Sequence, residues 1–176
     1  MAGSSAGRRG WLCGPYSRLG LTVAVVTILL DQAHKWWMIA GLGMTEGDSF
    51  AMTPFLNITY VKNLGVSYGM LTQDGPAGQR LLALFAVVAS LALTVWLARG
   101  ATNKVMAWGI GLIIGGAIGN AIDRIVLGGV ADFFSLHAFG FYWYVFNIAD
   151  VAIVAGVVAL LYDSWVLSRN DAANTP

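Results

Sequence analysis

Charged residues are scarce in this chain, and cysteine is almost absent. Only 11% of the 176 residues are charged and 57% are hydrophobic, whereas soluble domains have about 25% charged and about 45–50% apolar residues. A mean hydropathy of +0.69 agrees with this bias. The composition excludes an ordinary soluble domain and indicates a membrane protein, and the length allows a single domain over residues 1–176.

Cys13 is the only cysteine. A disulfide within the chain is therefore excluded, and so is a zinc site with two or more cysteine ligands. Basic and acidic residues nearly balance, which leaves a net charge of +1. We therefore expect no basic surface for nucleic acid.

Four apolar stretches are candidates for crossing a bilayer, which takes about 20 residues. They cover approximately residues 19–40, 81–98, 105–122 and 144–167. The second and third contain no charge, whereas the first includes Asp31 and the fourth includes Asp150. The pattern predicts an integral membrane protein, mainly α, with four transmembrane helices.

The distribution of lysine and arginine near the span ends predicts the orientation. One side of this arrangement has Arg8, Arg9, Arg18, Arg99, Lys104 and Arg169. Seven of the nine acidic residues fall on the other side. Both termini are therefore expected in the cytoplasm, and the segments 41–79 and 123–143 are expected outside it.

Both external segments are predicted to be structured. In 41–79, the β-branched and aromatic run 55–61 predicts a strand. Residues 66–71 suggest a short interfacial helix, and Gly75-Pro76 marks a turn before the second span. In 123–143, aromatic side chains favour an interfacial belt over a ligand-stacking role. They are Phe133, Phe134, Phe139, Phe141, Tyr142 and Trp143.

Three glycines of the third span share one helix face. Gly111, Gly115 and Gly119 are four residues apart, a spacing that lets another helix approach closely in a membrane. Gly119 could also leave space beside Asn120.

Four aspartates lie at or near the outer ends of the spans, where an ionisable group marks either function or a satisfied pair. Asp31 and Lys35 are one helical turn apart and predict an ion pair. Asp123 precedes Arg124, which is expected to keep it ionised. Both arrangements favour a structural role.

The other two, Asp132 and Asp150, have no cationic neighbour within four residues. Asn147 lies one helical turn before Asp150 and shares its face. If the two carboxyls meet in a desolvated site, one keeps a proton while the other ionises. The pair could then divide acid and base roles in amide hydrolysis. Capping or tethering by each aspartate is the alternative.

Three other functions fit parts of this pattern. Ser49 or Ser67 with Lys62 or Lys35 could form a Ser-Lys peptidase site. Intramembrane aspartates could be proton or ion relays in a transporter, but no repeated Gly/Pro-broken segments are present. A structural membrane subunit would leave the aspartates unexplained.

Five motifs in order carry a family resemblance that extends from residue 19 to 167. They are Asp31-Gln32-Ala33-His34-Lys35, Asn63-Leu64-Gly65-Val66-Ser67-Tyr68, Gly119-Asn120-Ala121-Ile122-Asp123-Arg124, Val130-Ala131-Asp132-Phe133 and Phe146-Asn147-Ile148-Ala149-Asp150. Together they closely resemble the bacterial lipoprotein signal peptidases, or signal peptidase II.

The resemblance implies an aspartic endopeptidase of the inner membrane, with Asp132 and Asp150 as its catalytic pair. It would remove the signal peptide from prolipoproteins by cutting just before a diacylglyceryl-modified cysteine, near the outer leaflet. No metal or cofactor is implied, and we expect a monomer. The family's other polar positions, which support the site or contact substrate, fall on Asp31, Lys35, Asn63, Asn120, Asp123, Arg124 and Asn147.

Overall fold

The computed structural model describes residues 14–65 and 75–173, in which four helices accompany a four-stranded sheet. In chain order the elements are α1 (Ser17–Trp36), β1 (Ser49–Thr53), β2 (Leu56–Asn63), α2 (Pro76–Gly100), α3 (Lys104–Val126), β3 (Val130–Ala138), β4 (Phe141–Phe146) and α4 (Ile148–Ala173). A π-helical turn, Trp37–Gly41, continues α1. Cys13 and the predicted short helix at 66–71 lie outside the described residues.

Local sequence signals explain where the central helices begin. Pro76 is the first residue of α2, where its missing N–H costs nothing. Asn103 caps α3, since its side chain accepts a hydrogen bond of 2.9 Å from the Met106 N–H. The predicted turn at Gly75-Pro76 is therefore the start of the second apolar helix, which begins before residue 81.

In the part of the chain that the structure describes, three helices are long and apolar enough to span a membrane: α2, α3 and α4 over Ile148–Val166. The first predicted span corresponds to α1, which does not meet the same criterion and includes Asp31 and Lys35. The fourth begins at Ile148 rather than at 144, because the aromatic and β-branched run 141–146 forms a strand.

Helix α3 lies between the other three helices and is the most buried of them. Its glycines allow this packing: a Cβ on Gly115 would lie 2.5 Å from Thr27 Cβ of α1. A Cβ on Gly119 would lie 2.7 Å from Asp31 Oδ2. The predicted close helix approach is confirmed, and the space beside Gly119 holds a carboxylate of the candidate site.

The sheet is antiparallel throughout, in the order β1-β2-β3-β4. Strand β2 confirms the predicted strand, and its register places Val61 opposite Asp132. Helices α2 and α3 are inserted between β2 and β3, so the sheet lies at the end of α3 that leads into β3. This topology brings β3 and the start of α4 next to the helix ends.

The aromatic residues of 123–143 divide between two environments. Phe139, Phe141, Tyr142 and Trp143 are exposed, as a belt requires. Phe133 is fully buried and stacks on Tyr60, with ring centroids 5.0 Å apart. The prediction was wrong for Phe133, because β3 turns this side chain into a core shared with Met38 and Ile58.

Candidate active site

A buried ion cluster ties α1 to α3. The ammonium of Lys35 lies 2.8 Å from Asp31 Oδ2 and 2.7 Å from Asp123 Oδ2. All three side chains are at most 3% exposed. The predicted Asp31–Lys35 pair is confirmed. Asp123, however, is paired with Lys35 rather than with Arg124.

Arg124 instead binds backbone oxygens. Its guanidinium donates to the carbonyls of Asn120, at 3.2 Å, and Gly65, at 3.0 Å. It therefore joins the end of α3 to the segment that follows β2.

The two carboxylates of the ion cluster also hold the backbone of neighbouring elements. Asp31 Oδ1 accepts a hydrogen bond of 3.0 Å from the Ala149 N–H, in the first turn of α4. Asp123 Oδ2 accepts one of 3.1 Å from the Ala131 N–H, in β3. The cluster thus fixes the two segments that carry Asp150 and Asp132.

Asp132 lies on β3 and is 1% exposed. Its Oδ1 accepts a hydrogen bond of 2.6 Å from Asn147 Nδ2, and its Oδ2 accepts one of 3.1 Å from Asn63 Nδ2. Burial, followed by the charge of Asp150, raises the pKa of Asp132 to about 7. A carboxyl of this kind exchanges its proton near neutral pH.

Asp150 lies in the first turn of α4, and both of its oxygens accept N–H groups. Asn120 Nδ2 donates to Oδ1 at 2.8 Å, and the backbone N–H of Asn147 donates to Oδ2 at 3.2 Å. The Asp150 N–H in turn donates to Asn147 Oδ1 at 2.9 Å. This reciprocal cap fixes the carboxylate at the start of the helix.

Two asparagines connect the aspartates to each other and to the ion cluster. Asn147 Nδ2 donates to both Asp132 Oδ1 and Asn120 Oδ1, the latter at 3.1 Å. Asn120 Oδ1 also accepts from the Lys35 ammonium at 3.3 Å. Because an ammonium only donates, this contact orients the Asn120 amide so that its N–H₂ group faces Asp150.

The structure therefore brings all nine predicted polar residues to one end of the helices. Two carboxyls, the buried Asp132 and the half-buried Asp150, are both bonded to Asn147 and can keep one proton and one negative charge between them. Residues 14–65 and 75–173 contain no group of three or more His, Cys, Asp or Glu side chains that could hold a metal ion.

Comparison with known proteins decides the family. The family model described as signal peptidase (SPase) II matches residues 23–166. This chain belongs to the signal peptidase II family. Its members are peptidases of bacterial membranes, so the chain is a membrane enzyme.

Individual relatives agree with this assignment. The lipoprotein signal peptidase of Rhodopseudomonas palustris (strain TIE-1) is 49% identical over 153 residues, which cover 85% of this chain and 93% of that protein. That of Methylocella silvestris is 46% identical over 151 residues, covering 86% and 88%. A solved bacterial membrane enzyme superposes with a TM-score of 0.71 at 30% identity, covering 90% of this chain and 92% of that one.

The geometry gives no support to a Ser-Lys site in this signal peptidase II chain. The Ser49 hydroxyl lies 2.7 Å from that of Thr59 in an exposed part of the sheet. Lys35 is held by two carboxylates, and Ser67 lies outside the described residues. The buried charges also gather at one end of the helices, whereas a transporter needs a path across them.

Sequence reasoning missed two glutamines of the site in this signal peptidase II chain. Gln32 donates to Asp123 Oδ1 at 2.9 Å and to Asp31 Oδ2 at 3.2 Å. Gln79 is buried on α2 and donates to the Leu64 carbonyl at 2.7 Å. The position of Gln32 beside Asp31 could have indicated its role in the site. Nothing in the sequence indicated the role of Gln79, because its partner Leu64 is distant along the chain.

Proposed function

We propose that this chain is an aspartic endopeptidase that removes the signal peptide from diacylglyceryl-modified prolipoproteins, cutting immediately before the lipidated cysteine. Asp132 and Asp150 are its catalytic pair. The observation that carries the proposal is the joint hydrogen bonding by Asn147 of these two carboxyls, of which Asp132 is buried and Asp150 half-buried. The names of the relatives supply the substrate class.

The two carboxyls take different roles in this mechanism. Asp150 lies in the first turn of α4, where the helix dipole favours a negative charge, so it is assigned the ionised form and takes a proton from the attacking water. Asp132, whose pKa is near neutrality, holds a proton and donates a hydrogen bond to the scissile carbonyl. As the carbonyl becomes tetrahedral, this donor stabilises the charge that develops on its oxygen.

The remaining polar residues support this pair. Asn63, Asn120 and Asn147 hold the carboxylates, and the ion cluster of Asp31, Lys35 and Asp123 fixes the elements that carry them. Arg124 binds the carbonyl of Gly65 and lies at the edge of the site. Since one chain supplies every one of these groups, we propose that the monomer is active, as a single peptidase domain.

Helix α1 is proposed as the fourth span. Its charged residues Asp31 and Lys35 face inward and neutralise each other. Its exposed side is apolar and includes Val25, Leu29 and Leu30. Such a helix presents mostly apolar side chains to lipid although its mean apolarity is modest. With four spans both termini lie on the same side, and the Lys and Arg residues near that side favour the cytoplasmic side of the inner membrane, which would put the aspartates near the outer leaflet.

The lipid on the substrate provides the first test. We expect purified enzyme in detergent to cleave a diacylglyceryl prolipoprotein and to leave the unlipidated precursor intact, because the lipid anchors the scissile bond at the depth of the aspartates. Mass spectrometry of the products locates the cut. Equal cleavage of both precursors, or a cut elsewhere than before the cysteine, would contradict the proposal.

The pH profile provides a second prediction. Because Asp132 must be protonated and its pKa is about 7, kcat should decline as the pH rises through neutrality. At acid pH kcat should decline as the second carboxyl takes up a proton. The plot of kcat against pH is then bell-shaped, and its two apparent pKa values belong to the coupled pair.

Asn63→Ala should move the alkaline limb upward. Its amide donates to Asp132, which favours the ionised form, so its removal raises the pKa of Asp132. A hydrogen bond of ordinary strength corresponds to a shift of about 0.5 to 1 pH unit. Asn57→Ala is the matched control, since Asn57 lies on the same strand and contacts His137. If the alkaline limb of the pH profile stays in place or moves to lower pH, Asp132 is not the acid.

A further inference from the structure

His34 is a titratable side chain to which the proposed mechanism gives no role. It lies on α1, directly before Lys35, and is half-buried. Its Nδ1 is buried and has no hydrogen-bond partner among the described residues. A histidine that transfers a proton needs a donor or an acceptor within hydrogen-bond reach of its ring nitrogens. The surroundings of Nδ1 therefore do not suit an acid or a base.

The ring of His34 packs against two aromatic rings of β3. It is stacked on Phe134, with ring centroids 5.0 Å apart and ring planes at 21°. It meets Phe133 edge to face, with centroids 5.5 Å apart and planes at 84°. Stacked and edge-to-face arrangements are the two geometries that aromatic pairs prefer. Helix α1 therefore holds β3 by aromatic contacts as well as through the ion cluster.

The stacked ring leads to both sides of the contact between Asp132 and Asn147. Phe134 is two residues after Asp132, so both side chains leave β3 on the same face. Phe134 also contacts the ring of Phe146, with centroids 5.7 Å apart. Phe146 directly precedes Asn147. The three rings of His34, Phe134 and Phe146, which we call the aromatic group, thus adjoin the segments that carry Asp132 and Asn147.

The aromatic group lies where β3 and β4 separate. Phe134 and Phe146 form the last backbone pair of these two strands on the side of the site. Asp132 and Asn147 lie beyond this pair, and their contact of 2.6 Å joins two side chains. The spacing of the two segments therefore depends on what packs across the last pair. His34 packs there from α1.

We propose that His34 is a positioning residue of the catalytic pair, acting as an aromatic ring that holds Phe134 and Phe146 and thereby keeps Asp132 in contact with Asn147. The inference rests on the proposed function, which assigns the pair. It adds a residue that affects the rate through the aromatic group and takes no proton from the substrate or from water.

The first test is His34→Ala in the full-length enzyme, with a lipidated peptide as substrate. We expect kcat to fall about tenfold with little change in KM, because a slight misplacement of a reacting group slows the reaction more than it weakens binding. The rate is measured across the pH range, so that the alkaline limb of the profile is obtained for each variant.

The alkaline limb should move to higher pH in His34→Ala. Burial and the charge of Asp150 raise the pKa of Asp132, and the charge of Lys35 lowers it. The hydrogen bond from Asn147 also lowers this pKa, so a looser contact raises it and Asp132 keeps its proton to higher pH. Partial loss of one hydrogen bond corresponds to a shift of about 0.5 pH unit.

His34→Phe should restore the wild-type behaviour, because a phenyl ring can keep the stack and has no nitrogen to pair. Both kcat and the alkaline limb should be close to those of the wild type. Phe134→Leu, which lacks a flat ring, should instead reproduce the limb shift of His34→Ala. If His34→Phe is as slow as His34→Ala, the imidazole acts as a polar or titratable group and the inference is overturned.

Leu97→Ala is the control for a purely structural loss. Leu97 is 1% exposed and packs in the other core cluster, near the end of α2 that leads into α3. Its truncation should lower Tm and leave the alkaline limb in place. A limb that also stays in place in His34→Ala and Phe134→Leu contradicts the inference. Failure of the proposed function is a separate result, since the wild type would then not cleave the peptide. If His34→Ala does not fold, Phe134→Leu and His34→Phe still decide.

Discussion

Replacing either Asp132 or Asp150 by asparagine is expected to reduce kcat at least about 10³-fold with little change in folding. Asparagine has nearly the same shape but cannot exchange a proton, and general acid or base catalysis contributes about 10²–10⁴-fold for each group. At Asp132 the substitution removes the proton donor of the scissile carbonyl. At Asp150 it removes the base that activates water.

The double variant should be hardly slower than either single variant. Residues that act as one unit lose most of their effect with the first substitution. Independent contributions would instead multiply. The measurement is single-turnover cleavage of a lipidated peptide by each variant, after circular dichroism and thermal unfolding have established that it is folded.

Asp163→Asn is the matched control for this series. Asp163 lies on α4, like Asp150, but near its other end, where its Oδ1 accepts a hydrogen bond of 2.7 Å from Asn103. The amide oxygen of an asparagine can accept the same bond, so activity should stay within about twofold, as for a substitution outside the site. Substantial activity in either single variant of the pair would contradict the assignment of that aspartate.

The helices of this fold were largely predictable from the sequence, because bilayer thickness and apolarity alone determine α2 and α3. The boundary of the fourth helix was not, since the run 141–146 is apolar enough to read as part of a span. What makes it strand β4 is its pairing with β3, a contact between separate elements. Strand β1 was not predicted for the same reason. All of its residues are exposed, and it is a strand because it pairs with β2.

The site shows a similar division between local and long-range information. Asp31 and Lys35 are one helical turn apart, so their pair follows from helix geometry alone. The contact of Asp123 with Lys35 requires α1 and α3 to pack, and no local spacing signals it. The joining of Asp132 and Asp150 through Asn147 depends on where β3 ends and α4 begins. The residue patterns did not determine whether Asp132 and Asp150 come together. Only the family resemblance selected these two aspartates as the catalytic pair.

Removing the charge of Lys35 is expected to be the most destabilising single change in the described part of the chain. Lys35→Met leaves Asp31 and Asp123 without their shared cation, and both are at most 2% exposed. Breaking a buried ion pair from one side costs about 3–5 kcal/mol. For a chain of this size that lowers Tm by about 10 °C, measured by thermal unfolding in detergent. Lys104→Met is the exposed control and should change stability by less than about 0.5 kcal/mol.

A double-mutant cycle separates the ion pair from the loss of packing. Asp123→Asn alone removes one acceptor and weakens its hold on the Ala131 N–H. When it is combined with Lys35→Met, it also removes an unpaired buried charge. The double variant should therefore be more stable than Lys35→Met alone, with a coupling of about 1–3 kcal/mol. Purely additive effects would mean that Lys35 acts through its hydrocarbon stem. In that case the amide of Asn120 would be oriented by Asn147 and Asp150 alone.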